Sequence, residues 1–153
     1  MSQTKFQFPP LYEVAYVVKS VDKTVEYYQS MGMGPLGTKV LEMDSVYKGK
    51  KGKCKIKIGY LQGTVNLVLM EVLEGETPFG EFLKKRGEGL QHLGFVVKDM
   101  NEALAALAKA GVKPSLTTTM PGRAELAYMD TTKIGGAMFE LCQPLITIPQ
   151  PKA

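Results

Sequence analysis

Glu13, His92 and Glu140 are the side chains of this sequence best suited to proton transfer or metal binding. Carboxylates and a neutral imidazole can ligate a divalent cation. A buried glutamate can also act as the base that removes a proton next to a carbonyl. His92 is the chain's one histidine, and a lone histidine opening a strand commonly serves as a structural hydrogen-bonding residue. Its place in an internal repeat points elsewhere. Residues 11–35, LYEVAYVVKSVDKTVEYYQSMGMGP, are paraphrased at 90–114 by LQHLGFVVKDMNEALAALAKAGVKP. Leu11, Val17, Val18, Lys19, Gly32 and Pro35 recur 79 positions later, and Glu13 falls on His92.

Each copy predicts the same elements. Val14 to Val18 and Leu93 to Val97 read as strands, followed by N-caps at Ser20 and Asp99. Asp99 with Glu102 resembles a capping box. Val21, Val25 and Tyr28, like Met100, Leu104 and Leu107, form one apolar stripe per helix. Gly32 and Gly111 stand where a helix ends in a positive-φ residue. Further strands are expected near 37–46, 53–61 and 65–73, then 115–120, 124–130 and 136–143, with turns at Pro121-Gly122 and Gly135-Gly136. A short helix near Pro78 to Lys85 joins the halves. The expectation is an α+β fold of two tandem βαβββ modules, about 10–75 and 90–146, with a connector at about 76–89. The modules pair into one cup-shaped sheet, and 1–153 form a single domain.

Strand alternation places the candidates on one side of that sheet. Tyr16, Val18, Phe95 and Val97 turn to the helices, leaving Glu13 and His92 on a face with Ala15 and Gly94. In MFELC, Phe139 and Leu141 turn to the helix side, so Glu140 faces the cup. Small residues beside polar groups suit a ligand cavity. Met70, Met129 and Met138 could line it, although methionines usually fill cores.

The 153 residues suffice for a sizeable core, and 44% hydrophobic with 22% charged residues is ordinary globular usage. No run resembles a signal peptide or a membrane span, so neither a membrane nor an export route is expected. Cys54 and Cys142 form no metal or redox motif, and reduced thiols in a cytoplasm are the plain reading. A net charge of +4 suits an anionic ligand and makes no case for nucleic acid. Lys48, Lys50, Lys51, Lys53, Lys55 and Lys57 read as a solvated strand face beyond a flexible GKKGK turn. Lys55 and Lys57 are also candidates for holding the phosphates of a CoA thioester. Arg123 and Tyr128 could orient a substrate carboxylate or carbonyl.

GEGLQHLGFVVKDMNEALAALAKAGV, GGAMFELCQP and LMEVLEGETPFGEFLKKRGEG closely resemble methylmalonyl-CoA epimerases and glyoxalase-like proteins. The similarity runs from about Leu11 to Pro144 and points to the vicinal oxygen chelate superfamily of paired βαβββ modules. The resemblance implies a homodimer and a divalent metal in the cup, its ligand positions falling on Glu13, Val68, His92 and Glu140. His92 and Glu140 match the family pattern. Glu13 replaces the usual histidine or glutamine, and Val68 offers no donor, which leaves it a substrate-lining position with Met70. Glu71 is a weaker substitute because alternation turns it to the opposite face. The epimerases' additional glutamate base has lysines near its place here.

Two readings of the site stay open. In one, Glu13, His92 and Glu140 hold Mn²⁺, Fe²⁺, Co²⁺, Mg²⁺ or Zn²⁺, which acts as a Lewis acid. In the other no metal binds, and Glu13 and Glu140 work as an acid/base pair around a carbonyl with His92 as donor. Either describes an isomerase, epimerase or lyase acting on a small or acyl-CoA substrate. The alternative is a non-catalytic module that binds or sequesters a small molecule in the same cup.

Overall fold

The structure is a computed structural model that describes residues 6–145. The first five residues, read above for a leader, and position 146, given to the second module, lie outside the described residues. The elements are β1 (Leu11–Val17), α1 (Val21–Ser30), β2 (Gly37–Tyr47), β3 (Lys50–Leu61) and β4 (Asn66–Glu74). After α2 (Pro78–Arg86) come β5 (Gly89–Val96), α3 (Met100–Lys109), β6 (Pro114–Met120), β7 (Ala124–Met129) and β8 (Met138–Pro144). The fold is α+β, and βαβββ occurs twice.

Local chemistry starts and stops the helices where expected. Ser20 accepts from the Lys23 amide at 3.3 Å and Asp99 from the Glu102 amide at 3.0 Å, so both helices carry side-chain caps. Gly32 and Gly111 close them at φ 86° and 78°. The lysine-rich segment differs from expectation. Lys48 and Gly49 both have positive φ and make a two-residue turn, the type whose twist matches the strands it joins. The ladder therefore begins at once, with Lys50 opposite Tyr47 and Lys53 opposite Asp44. Of GKKGK only Gly49 belongs to the turn, and Lys50 to Lys53 are strand.

In each half the first strand runs parallel to the last, β1 beside β4 and β5 beside β8. Antiparallel pairing of β1 with β5 joins the halves. The sheet goes one step beyond a cup. Asp44–Tyr47 of β2 pair with Leu116–Thr119 of β6, closing the order β1-β4-β3-β2-β6-β7-β8-β5 into a barrel. Closure leaves no bare edge at that seam.

The helices cover the outside. Val18, Leu69 and α1's Val21 and Val25 form one outer cluster; Ala127, Met129, Leu141 and α3's Met100 and Ala103 form another. Inside lie Ala15, Val17, Met43, Ile56, Val68, Met70, Leu116, Leu126 and Met138. The connector helix α2 supplies Phe79, fully buried, with its ring 4.9 Å from that of Tyr128 and 5.9 Å from that of His92. The Tyr47 hydroxyl donates to Glu81 and ties α2 to β2. Phe79 thus packs the barrel interior beside the polar residues. Phe79→Ala should lower unfolding free energy by about 3–5 kcal/mol in urea titrations. A loss under about 1 kcal/mol would mean that α2 is not part of the core.

Candidate functional site

The two-module pairing puts the three candidates in register. Glu13 lies opposite Gly94 across β1–β5, Gly94 opposite Glu140 across β5–β8, and Glu140 opposite Tyr128 across β7–β8. His92 sits on the neighbouring row, between Ala15 and Met138. His92 Nε2 is 3.3 Å from Glu13 Oε1 and 3.1 Å from Glu140 Oε2. Gly94 makes the approach possible, because a Cβ there would lie 2.9 Å from Glu13 Cβ and 3.6 Å from Glu140 Oε1. The His92 side chain is fully buried, while those of Glu140 and Glu13 retain 9% and 16% exposure. Solvent reaches the cluster from the glutamate side.

Burial and charge act against one another here. Burial disfavours the imidazolium of His92, but hydrogen bonds and charge from Glu13 and Glu140 outweigh it and push the group up to about 9. Burial and the neighbouring Glu140 carboxylate raise Glu13, against the opposing pull of His92. The Tyr128 hydroxyl donates to Glu140 and is itself raised well above the ordinary tyrosine range by burial and the Glu140 charge. Cys142, two residues beyond Glu140, is pushed up to about 12 by burial and by the Glu140 and Glu13 charges. It stays a thiol.

The donor set fits a divalent cation. One ligand atom from each of Glu13, His92 and Glu140 lies within 4.8 Å of the others. Donors held about 2.1 Å from a common ion in adjacent positions are about 3.0–3.4 Å apart. The two Nε2–oxygen separations fall in that range. Two carboxylates also balance the charge of such an ion, which a buried site requires.

Other candidates are placed as follows. Val68 stands on the inner face in the His92 row, opposite Ala15, and Met70 lies one pair further along, opposite Val17. Met138 also faces inward, whereas Met129 packs against α3. Tyr128 is in the interior as a partner of Glu140. Lys55 and Lys57 are not brought to the site. Cys54 and Ile56 take the inner face, so both lysines point outward, Lys55 to Glu42 and Glu74 and Lys57 to Asp22. Arg123 lies exposed in the β6–β7 turn. Glu71 is outside the barrel, accepting from the Val21 amide at the start of α1.

Two neighbours of His92, and one polar group elsewhere in the barrel, escaped the sequence reading. Gln91 bonds to His92 Nδ1 at 2.7 Å, Phe79 packs against the ring, and Thr118 Oγ1 is buried without a hydrogen-bond partner among the described residues. Alternation on β6 with buried Leu116 could have placed Thr118 inside. No sequence signal marks the other two. A groove of about 400 Å³, lined in part by Tyr47, Arg86, Gln91 and Met138, approaches the cluster without including it.

Residues 12–128 match a sequence profile of the Glyoxalase/Bleomycin resistance protein/Dioxygenase superfamily. The uncharacterised protein YqjC of Bacillus subtilis (strain 168) is 27% identical over 136 residues, covering 86% of this chain and 89% of YqjC. The methylmalonyl-CoA epimerase of Mycobacterium tuberculosis superposes with a TM-score of 0.67 at 22% identity, over 92% of this chain and 91% of the epimerase. A Streptomyces coelicolor methylmalonyl-CoA epimerase variant in complex with 2-nitronate-propionyl-CoA gives 0.64 at 19% identity, over 90% and 98%. These structural likenesses concern the fold, and the profile covers most of the sequence. The chain therefore belongs to the Glyoxalase/Bleomycin resistance protein/Dioxygenase superfamily, the vicinal oxygen chelate proteins.

Proposed function

We propose that Glu13, His92 and Glu140 hold one divalent metal ion and that the site catalyses proton transfer next to the carbonyl of a small or acyl-CoA substrate. The observation that supports this reading is the convergence of three donor atoms, from three strands, to within 4.8 Å of one another. A bound divalent ion supplies Lewis-acid stabilisation of the negative charge that develops on the substrate oxygen. Glu13 is the residue suited to move the proton. It retains more side-chain exposure than Glu140, and burial beside a second carboxylate raises its proton affinity. Its carboxylate takes the Cα proton and the C–H electron pair passes toward the carbonyl oxygen. In an isomerisation Glu13 then returns the proton to the adjacent carbon, whereas in an epimerisation water supplies a proton to the opposite face of Cα and Glu13 releases its own to solvent. Glu140 is held by Tyr128 and keeps its place through the step. Thr118 offers a buried hydroxyl, without a partner among the described residues, for a polar substrate group or water.

An acyl-CoA is the substrate class suggested by the ligand of the Streptomyces coelicolor epimerase, and epimerisation or isomerisation is the matching reaction class. A homodimer, as the superfamily resemblance implies, is part of the same reading. Since Lys55 and Lys57 point outward, we do not assign them to a CoA phosphate.

Metal analysis of purified protein, stripped and reloaded with Mn²⁺, Fe²⁺, Co²⁺ or Zn²⁺, should give about one equivalent. His92→Ala should abolish it; no uptake of any ion by folded wild type would remove the metal from the reading. Gly94→Ala should lose metal as well, through the clash with Glu13, while circular dichroism stays native-like. Unchanged affinity in that variant would contradict the tight approach. Exchange of Cα hydrogen for solvent deuterium in small acyl-CoA thioesters, followed by mass spectrometry, should fall at least about 100-fold in Glu13→Gln. Metal uptake without exchange in any such thioester would favour a binding or sequestering protein.

A further inference from the structure

We propose that Gln91 is the positioning residue of the site, an inference that rests on the metal-binding reading. Ala15 pairs with His92 and Tyr16 with Leu90, so Gln91 is an extra residue on β5, a β-bulge. In a regular strand consecutive side chains face opposite sides. At the bulge Gln91 and His92 are both buried, at 2% and 0% exposure. The Gln91 side-chain oxygen lies 2.7 Å from His92 Nδ1 and accepts its proton. That contact fixes the ring with Nε2 between Glu13 and Glu140, 3.3 and 3.1 Å away. It also leaves Nε2 as the atom that meets the ion.

A metal-binding histidine needs its second nitrogen held by an acceptor, and loss of that partner typically costs about 10–100-fold in affinity. Gln91 does this from a residue adjacent in sequence, which only the bulge allows. The ring is confined on its other sides by Phe79 and Tyr128, at 5.9 and 5.1 Å between ring centres. These apolar contacts restrict its tilt but do not choose which nitrogen faces the carboxylates. Gln91 makes that choice.

The test is Mn²⁺ titration by calorimetry of wild type, Gln91→Met and Gln91→Glu, with ¹⁵N-resolved NMR of the His92 ring in chelator-treated protein. Gln91→Met should bind Mn²⁺ about 10–100-fold more weakly and lose the protected Nδ1 proton. Gln91→Glu, which keeps the acceptor, should retain both the affinity and the signal. Wild-type affinity in Gln91→Met with an unchanged Nδ1 proton overturns the proposal. So does a folded Gln91→Glu that binds as weakly as Gln91→Met. If Gln91→Met does not fold, Gln91→Asn, whose shorter side chain draws the acceptor back, is expected to show the same losses; retention of both overturns the proposal. Failure of wild type to bind Mn²⁺ sinks the metal reading alone. The Nδ1 proton then decides for Gln91: its absence from folded wild type overturns the role, and its presence there with loss in Gln91→Met supports it.

Discussion

The antiparallel pairing of β1 with β5 is the constraint on which the site depends. It is where one module meets the other, and it sets Glu13, Gly94, Glu140 and Tyr128 side by side across four strands. Two carboxylates brought this close repel one another, and their burial adds a desolvation cost. His92 offsets both by standing within hydrogen-bond distance of each. Remove the glycine from the row and the carboxylates lose the space to converge. Slide the register by one residue and the whole polar set turns toward the helices.

The rest of the barrel serves that confined charge. Closure between β2 and β6 and the insertion of Phe79 surround His92 with apolar groups, so its interactions with Glu13 and Glu140 act in a low-dielectric setting. The same surroundings keep Cys142 protonated and give Tyr128 a hydrogen-bonding role toward Glu140. Val68 packs in the His92 row as plain core. A side chain without a donor at that point leaves the cluster with three donors, and Glu13 makes two of them carboxylates. Such a set is harder and more oxygen-rich than a histidine-dominated one, and it favours cations that accept oxygen ligands.

How much of this was legible beforehand differs by residue. The helix caps at Ser20 and Asp99 and the positive-φ ends at Gly32 and Gly111 follow from nearest neighbours, and the structure has them as read. The inward set Glu13, His92 and Glu140 follows from strand alternation, because in each strand the bulky neighbours must turn to a helix. The same alternation assigned Phe139 and Leu141 correctly. Met129 packs against α3 and not beside the cup, because its parity on β7 is opposite to that of Tyr128. The lysines form the solvated strand face expected of them, but the turn is shorter than GKKGK because Lys48 adopts a positive φ that its residue type does not advertise.

The sequence by itself determined the repeat, the element order and the faces of the strands, since these depend on periodicity and on contacts within a few residues. Tertiary structure alone decided the separation of Glu13, His92 and Glu140, the closure of the cup into a barrel and the inward turn of Gln91. The bulge that turns Gln91 inward arises from a two-against-one pairing between strands 79 residues apart, and no local pattern records such a pairing. Phe79 reaches His92 for the same kind of reason. Its helix is legible locally, but the surface it covers exists only after both modules have folded against each other.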